Sequence, residues 1–152
     1  MADRTSSDIT VAAPAPVIMS VIADFAAYPD WATGVRSAQI VESEADGLPA
    51  RVRFMLDAGV IRDSYVLAYD WDADAGVRWE LDSQGSMISQ MSGGYRLVPA
   101  GGGTQVTYEL EVGLKVPMIG MLKRRAEKTI IDTALRGLRA RAESMPGGGS
   151  RG

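Results

Sequence analysis

Residues 117–143, PMIGMLKRRAEKTIIDTALRGLRARAE, contain the pattern on which the expected fold depends. Apolar residues recur every three or four positions, as on one face of an amphipathic α-helix. These residues are Ile119, Leu122, Ala126, Ile130, Ala134 and Leu138. Most charged residues of the stretch lie outside this apolar face. At ~1.5 Å per residue such a helix is about 35–40 Å long, so it can lie across a whole sheet.

Length and composition predict a single domain. The chain has 152 residues, and 46% of them are hydrophobic, which suffices for one core without a second domain. We expect this domain to span residues 1–145. Residues 146–152, PGGGSRG, resemble a linker and are predicted to form a flexible tail.

Charge and missing residue types exclude several functions. A formal net charge of −3 and a pI near 5.0 argue against a nucleic-acid partner, whose phosphates require a concentrated positive surface. The chain has no cysteine and no histidine. It therefore lacks a thiolate nucleophile, the usual base of catalytic triads and the commonest transition-metal ligand. No metal site and no cofactor is predicted.

Two observations bear on localisation. Residues 1–8 lack the basic start and apolar run of a signal peptide, and no segment approaches the ~20 apolar residues of a membrane span. We therefore expect a cytoplasmic protein.

Alternation of apolar and polar residues predicts seven strands. One covers residues 8–13, and the others cover 35–43, 50–58, 61–71, 77–83, 87–99 and 104–116. Between the first two, residues 14–25 have the pattern of a short amphipathic helix. Pro29 disfavours helical angles at Tyr28, so a turn or a broken second helix is expected there. The later connections are too short for parallel crossovers, so an antiparallel meander is predicted.

The strand pattern also predicts which side chains point inward. Several are tyrosines and tryptophans, whose polar atoms need partners or open space when they are buried. The inward set is Val52, Phe54, Leu56, Tyr65, Leu67, Tyr69, Trp71, Val77, Trp79, Leu81, Met87, Met91, Tyr95, Leu97, Val106, Tyr108, Leu110, Val112 and Leu114.

The order of these elements resembles the START-like (SRPBCC) superfamily over about residues 8 to 143. Within it the chain is most similar to the bacterial polyketide cyclase/dehydrase and coenzyme-Q-binding-protein-like branch, which includes the actinobacterial cyclase/dehydrase proteins. The resemblance is carried by AAPAPVIMSVIADF at 12–25, Tyr28-Pro29-x-Trp31, Val77-x-Trp79-x-Leu81, Gly94-Tyr95-x-Leu97 and Gly103-Thr104-x-Val106-Thr107-Tyr108.

The resemblance implies an α+β helix-grip fold. A curved antiparallel sheet of about seven strands would wrap around the long C-terminal helix, with two short helices after the first strand closing one end. It also implies a cavity between sheet and helix for a hydrophobic molecule such as a lipid, an isoprenoid or quinone, or a polyketide. Members range from carriers and sensors to cyclases, so the fold alone does not select a function.

We predict the lining of the cavity from the strand residues of inward parity and from the apolar face of the C-terminal helix. Residues 26–34 and 116–120, which contain glycines and prolines, are expected to act as gates at its mouth. The predicted ligand-binding residues are Trp31, Phe54, Tyr65, Leu67, Trp79, Met91, Tyr95, Tyr108, Ile119, Leu122, Ala126 and Ile130.

Polar residues of inward parity are the catalytic candidates. A buried Asp63 with a raised pKa could remove a proton next to a carbonyl while a tyrosine hydroxyl stabilises the enolate. A solvated or ion-paired Asp63 and ordinary packing tyrosines are the alternative. The candidates are Asp63, Tyr65, Tyr95 and Tyr108, with Ser89 on the same predicted face.

Three other patterns have both a structural and a functional interpretation. Asp70, Asp72 and Asp74 resemble a calcium loop, but Ala75 and Leu81 occupy its glycine and glutamate positions, which favours a hairpin turn. Glycines 101–103 precede a strand, which favours a hairpin tip over a phosphate cradle. Basic residues at the start of the C-terminal helix could contact anionic lipid or form a solvated face; they are Lys123, Arg124, Arg125 and Lys128.

Three functions remain open. The preferred interpretation is binding, sequestration or transport of a hydrophobic small molecule. The alternatives are a polyketide cyclase/dehydrase that uses Asp63 and the tyrosines, and a non-enzymatic partner of a membrane or quinone-handling complex. The sequence does not indicate an oligomeric state.

Overall fold

The computed structural model describes residues 5–32, 34–58, 61–115 and 120–145. The predicted tail at 146–152 and Ile119 lie outside these residues. Among them, seven strands form one sheet, and three helices and a 3₁₀ turn accompany it. The strands are β1 Thr5–Val11, β2 Val35–Ser43, β3 Pro49–Ala58, β4 Ile61–Asp72, β5 Gly76–Ser83, β6 Ile88–Ala100 and β7 Gly103–Leu114; the helices are α1 Ala15–Ala23, α2 Tyr28–Trp31 and α3 Gly120–Ser144.

The sheet is an antiparallel meander. Its spatial order is β1-β7-β6-β5-β4-β3-β2, so each strand from β2 to β7 pairs with the next one in sequence. β1 pairs antiparallel with β7. Short connections force this pairing, because a chain that turns within a few residues can only return alongside itself. The predicted strand number and antiparallel pairing are confirmed.

The short helices begin at prolines. Pro14 is the N-cap of α1, and a proline also lies in the first turn, where its missing N–H leaves no helical hydrogen bond unmade. The 3₁₀ turn Phe25–Ala27 leads directly into α2. The broken second helix is therefore confirmed. The expected bias of Tyr28 away from helical angles is wrong: its φ of −53° and ψ of −42° are helical, and Pro29 is accommodated in the first turn of α2.

α3 lies against the inner face of the sheet with a wider buried face than the sequence predicted. Ala126, Ala134 and Leu138 are buried as expected, whereas Leu122 is 38% exposed. The buried face of α3 differs from the predicted apolar face because the helix also contacts β1 and α1 along its length. The further buried residues are Glu127, Ile131, Leu135 and Ala142.

A buried glutamate fastens the N-terminal half of α3 to two strands. Glu127, with 1% exposure, accepts hydrogen bonds from Thr5 Oγ1 in β1 at 2.7 Å and from the Val112 backbone N–H in β7 at 2.9 Å. Lys123 Nζ lies 3.4 Å from Glu127 Oε2 and donates to the Val112 carbonyl at 2.9 Å. The described pairing of β1 with β7 ends at Leu110. Glu127 and Lys123 therefore satisfy the backbone groups of Val112, which lies past that end.

The C-terminal half of α3 is fastened by a second carboxylate. Glu143 Oε2 accepts a hydrogen bond of 2.8 Å from the backbone N–H of Ala12, just after β1. Between the two glutamates, Gly137 allows close approach to α2, because a Cβ there would collide with the Trp31 carbonyl oxygen. Together these contacts set the position of the helix over the sheet.

A bulge in β6 changes the predicted inner face. The register between β6 and β7 shifts between Ile88 and Gln90. Ile88 and Met91 are both buried although they differ in parity, and Met87 is only partly buried. The expectation that Met87 and Ser89 share the inner face with Met91 is therefore wrong, because the extra residue of a bulge reverses the alternation.

We predict that Glu127→Ala lowers the free energy of unfolding by about 2–4 kcal/mol, because it leaves the Val112 N–H without its acceptor and Lys123 without its counter-charge. Chemical denaturation with Glu80→Ala as the control measures this loss, since Glu80 is exposed on β5. Equal stability of the two variants would show that the buried carboxylate does not fasten the helix.

Candidate functional site

All aromatic residues of the chain form one continuous network on the inner side of the sheet. The sequence holds three tryptophans, five tyrosines and two phenylalanines, and every one of them has an aromatic neighbour. Ring centroids lie 4.6 Å apart for Tyr95 and Tyr108 and 5.5 Å apart for Trp79 and Tyr108. Each such pair stabilises the fold by ~0.5–1.5 kcal/mol beyond simple burial. Contacts between rings therefore stabilise the walls of the site.

A cavity of about 70 Å³ lies inside this network, between the sheet and α3. It is walled by strands β2 to β7, with Tyr28 contributed by α2 and two residues by α3. No charged side chain is among its described lining. The lining residues are Tyr28, Val35, Phe54, Leu56, Tyr65, Leu67, Tyr69, Trp79, Met91, Tyr95, Tyr108, Leu110, Ile130 and Ala134.

The five tyrosines of the chain all line this cavity. The hydroxyl of Tyr28 donates to the Ile22 carbonyl of α1. Within the described part of the chain, the other four hydroxyls make no hydrogen bond to protein. Trp31 Nε1 is the one described polar side-chain atom that is enclosed without a partner. The four hydroxyls therefore border open space rather than packed atoms.

Burial keeps these tyrosines protonated. It is the largest cause that raises the pKa of Tyr65, Tyr69, Tyr95 and Tyr108 above the ordinary value of 10.0. The nearby Tyr108 oxygen raises the pKa of the other three further. Each hydroxyl therefore retains its proton at neutral pH and can donate it in a hydrogen bond.

Gly93 makes room for the central tryptophan of the cavity. It faces Trp79 across β5 and β6, and a Cβ there would lie 3.0 Å from the Trp79 ring and 2.5 Å from the Glu109 carbonyl oxygen. The missing side chain lets the indole lie over the β6 backbone. This places Trp79 between Tyr69, at 5.7 Å, and Tyr95, at 5.6 Å.

The structure brings eight of the predicted ligand-binding residues together. Trp31 and Ala126 are buried beside the cavity rather than in its wall, Leu122 is outside it, and Ile119 lies outside the described residues. Trp31 instead packs on Tyr28 at 4.7 Å. The residues that line the cavity are Phe54, Tyr65, Leu67, Trp79, Met91, Tyr95, Tyr108 and Ile130.

Six lining residues were not among the predicted ligand-binding residues. Leu56, Tyr69 and Leu110 share the predicted inward parity, and Ala134 lies in the predicted apolar helix face. These four had a signal in the sequence. Tyr28 lies in the predicted gate at 26–34 but was not predicted to line the cavity, and Val35 had no signal. Both positions depend on how the segment between α1 and β2 folds back over the sheet.

Asp63 lies outside the cavity wall and organises the turn between β5 and β6. Its carboxylate accepts hydrogen bonds from the backbone N–H groups of Ser64, Ser86, Met87 and Ile88 at 2.6–2.9 Å. The Ser86 hydroxyl donates a further bond at 3.1 Å. These contacts hold the turn against the start of β4.

The pKa of Asp63 is lowered, so the interpretation that required a raised pKa loses its support. Partial burial is the largest single cause and raises the pKa, but the four backbone N–H groups together outweigh it. A carboxylate held in this way is a weak base. The catalytic role of Asp63 remains a prediction, but the raised pKa on which it was based is not found.

We predict that Asp63→Asn costs about 1–3 kcal/mol of unfolding free energy at pH 7, because four N–H groups lose a charged acceptor. The folded pKa is below the ordinary 3.8, so the wild-type advantage is present above that pH and is lost as pH falls through the folded pKa. Denaturation of both proteins between pH 7 and 2.5 measures it. Asp74→Asn, in the exposed β4–β5 turn, is the control. A wild-type advantage that is independent of pH would contradict the assignment.

Comparison with known proteins identifies the family. The family model described as "Polyketide cyclase / dehydrase and lipid transport" matches residues 2–143. The chain belongs to this family. No curated protein gives a significant match.

Solved structures support the same fold. A START superfamily protein from Mycobacterium smegmatis superposes with a TM-score of 0.85 at 24% identity, covering 94% of this chain and 99% of the other. The Zhui aromatase/cyclase from Streptomyces sp. R1128 gives 0.78 at 18% identity, covering 99% and 100%. At these identities the matches show the helix-grip fold alone.

The outer face of the sheet has a larger concavity, which suits an apolar ligand less well than the cavity between the sheet and α3 does. It measures about 500 Å³ and is open to solvent on the convex side of β5 and β6. Charged side chains of both signs line it, including Asp70, Arg78, Arg96 and Glu109. Gly94, which pairs with the exposed Arg78, places no side chain there. Size alone therefore does not identify the ligand site.

The basic cluster of α3 is only partly available to a partner. Lys123 is engaged with Glu127 and Val112, and Lys128 Nζ lies 2.8 Å from Asp132 Oδ1. Arg125 is exposed, and Met121 beside the cluster is 67% exposed. Among the described residues, no helix combines the length and apolar character that a membrane span requires.

Proposed function

We propose that the chain binds a hydrophobic small molecule, for sequestration or transport, in the cavity between the sheet and α3. The observation that carries this proposal is the uncharged aromatic wall, to which every tyrosine of the chain contributes. Ligand sites are typically apolar concavities with a few orienting polar groups. The family description, which includes lipid transport, agrees with this composition.

The cavity must enlarge to hold such a ligand. Its 70 Å³ compares with ~300–1,000 Å³ for sites that enclose drug-sized molecules. Strands β3 to β7 are fixed by pairing on both sides, whereas Tyr28 and Val35 come from the segment around α2 that borders the cavity. We propose that α2, which lies within the predicted gate at 26–34, moves when a ligand enters. The second predicted gate, at 116–120, falls largely outside the described residues.

We predict that protein purified without detergent carries an apolar molecule at near one-to-one stoichiometry in native mass spectrometry. Ala134→Leu, which adds bulk in the cavity wall, should lower ligand affinity at least about tenfold through overpacking. Ala140→Leu makes the same change on the exposed side of α3 and should retain the ligand. An empty wild-type protein that also binds no apolar probe would overturn the proposal, as would equal loss in both variants.

The alternative is a cyclase or dehydrase, which the family description also includes. The protonated tyrosine hydroxyls could stabilise an enolate oxygen, but the described cavity wall offers no carboxylate as a base. Turnover of a model poly-β-ketone distinguishes the roles. If Tyr108→Phe loses turnover while Asp63→Asn retains it, the chemistry is assigned to the hydroxyls. The reverse pattern would favour Asp63.

Peripheral contact with a membrane or membrane complex remains a proposal for the start of α3. The exposed Met121 and Leu122 beside Arg125 favour it. We predict that Arg124→Glu with Arg125→Glu weakens sedimentation with phosphatidylglycerol vesicles by about tenfold or more, at ~1 kcal/mol per cation. Arg136→Glu with Arg139→Glu, exposed farther along α3, is the control. Equal binding by both double variants would exclude this surface.

A further inference from the structure

We infer that the cavity selects a neutral ligand whose oxygen atoms accept hydrogen bonds, and that it rejects a carboxylate of the same shape. This inference rests on the proposed function and specifies its ligand. Its basis is the juxtaposition of four uncommitted tyrosine hydroxyls with a wall that contains no charged group.

The hydroxyls form one group of donors. Tyr65 and Tyr69 extend from β4, Tyr95 from β6 and Tyr108 from β7. Tyr95 and Tyr108 are directly paired across their strands. The rings of Tyr69, Tyr95 and Tyr108 each lie 5.5–5.7 Å from the Trp79 ring. A ligand in the cavity therefore lies against several tyrosines at once.

These hydroxyls require acceptors. Each has one proton to donate, and a buried donor without an acceptor is unfavourable. Within the described residues, only the hydroxyl of Tyr28, the fifth tyrosine, is satisfied by protein, through the Ile22 carbonyl. A carbonyl or ether oxygen on the ligand would satisfy the others, whereas a pure hydrocarbon would displace any solvent from them and supply nothing. Oxygenated ligands are therefore preferred over hydrocarbons of the same size.

The same site disfavours negative charge. No lysine or arginine is part of the described lining, and the chain contains no histidine. A carboxylate buried here would lose its hydration without gaining a counter-charge, which disfavours its binding. Burial already disfavours the phenolate form of the tyrosines. A ligand anion would meet the same environment.

Three naphthalene probes of similar shape test the inference: menadione with two carbonyls, 2-methylnaphthalene with none, and 2-naphthoate with a negative charge. The absence of cysteine prevents thiol addition to the quinone. In equilibrium dialysis at pH 7 we expect menadione to bind about 3- to 10-fold more tightly than 2-methylnaphthalene. We expect 2-naphthoate to bind at least about tenfold more weakly than 2-methylnaphthalene.

Tyrosine-to-phenylalanine variants assign the preference to the hydroxyls. Tyr65→Phe and Tyr108→Phe should each reduce the ratio of menadione to 2-methylnaphthalene affinity about threefold. Tyr28→Phe is the matched control and should keep the ratio, because its hydroxyl is bonded to Ile22. Thermal melts establish that each variant is folded.

The remaining outcomes separate this inference from the proposed function. Equal affinity for menadione and 2-methylnaphthalene, or tight binding of 2-naphthoate, would overturn the acceptor preference and leave a hydrophobic ligand site intact. A menadione preference that survives Tyr65→Phe and Tyr108→Phe would also overturn it. Failure of all three probes to bind, with no molecule retained in native mass spectrometry, would overturn the proposed function and the inference with it.

Discussion

The structure depends on a long helix being held across the concave face of a sheet by two glutamates. Glu127 joins α3 to β1 and β7, and Glu143 joins it to the chain just after β1. Both act on backbone or hydroxyl donors that sheet pairing leaves available. Because carboxylates bond at fixed geometry, they set the distance between helix and sheet more narrowly than apolar packing would. The space between the two layers follows from that distance.

The inner face combines rigidity with uncommitted polar groups. Rings from β3 to β7 contact one another in stacked, tilted and edge-to-face pairs, and Gly93 allows Trp79 to lie over the neighbouring strand. The same rings present four hydroxyls that the described protein does not satisfy. An interior built only for stability would satisfy or omit such groups, because each unpaired donor is unfavourable. Their presence is consistent with a family that the comparisons associate with small, largely apolar molecules.

Sequence patterns predicted the structure correctly where one side-chain period continues through a whole strand. Alternation in 52–56, 65–71 and 106–114 predicted the inner face, since side chains on a regular strand must alternate. It failed at Ser89, where a bulge inserts one residue and reverses the faces. Parity also gave no indication of the hydrogen-bond partners of Asp63, most of which come from a turn more than twenty residues away in sequence. Residue type and parity cannot indicate which backbone N–H groups a carboxylate will meet.

Local sequence patterns are enough to predict the strand number, the antiparallel order and the aromatic character of the interior, because short connections and period-two alternation are local properties. Tertiary packing is needed to explain why Glu127 is buried, why Tyr28 reaches the cavity from α2, and why the remaining space is about 70 Å³. These features depend on how closely α3 and α2 approach the sheet. That approach is set by contacts between residues far apart in the chain, such as Thr5 with Glu127 and Gly137 with Trp31.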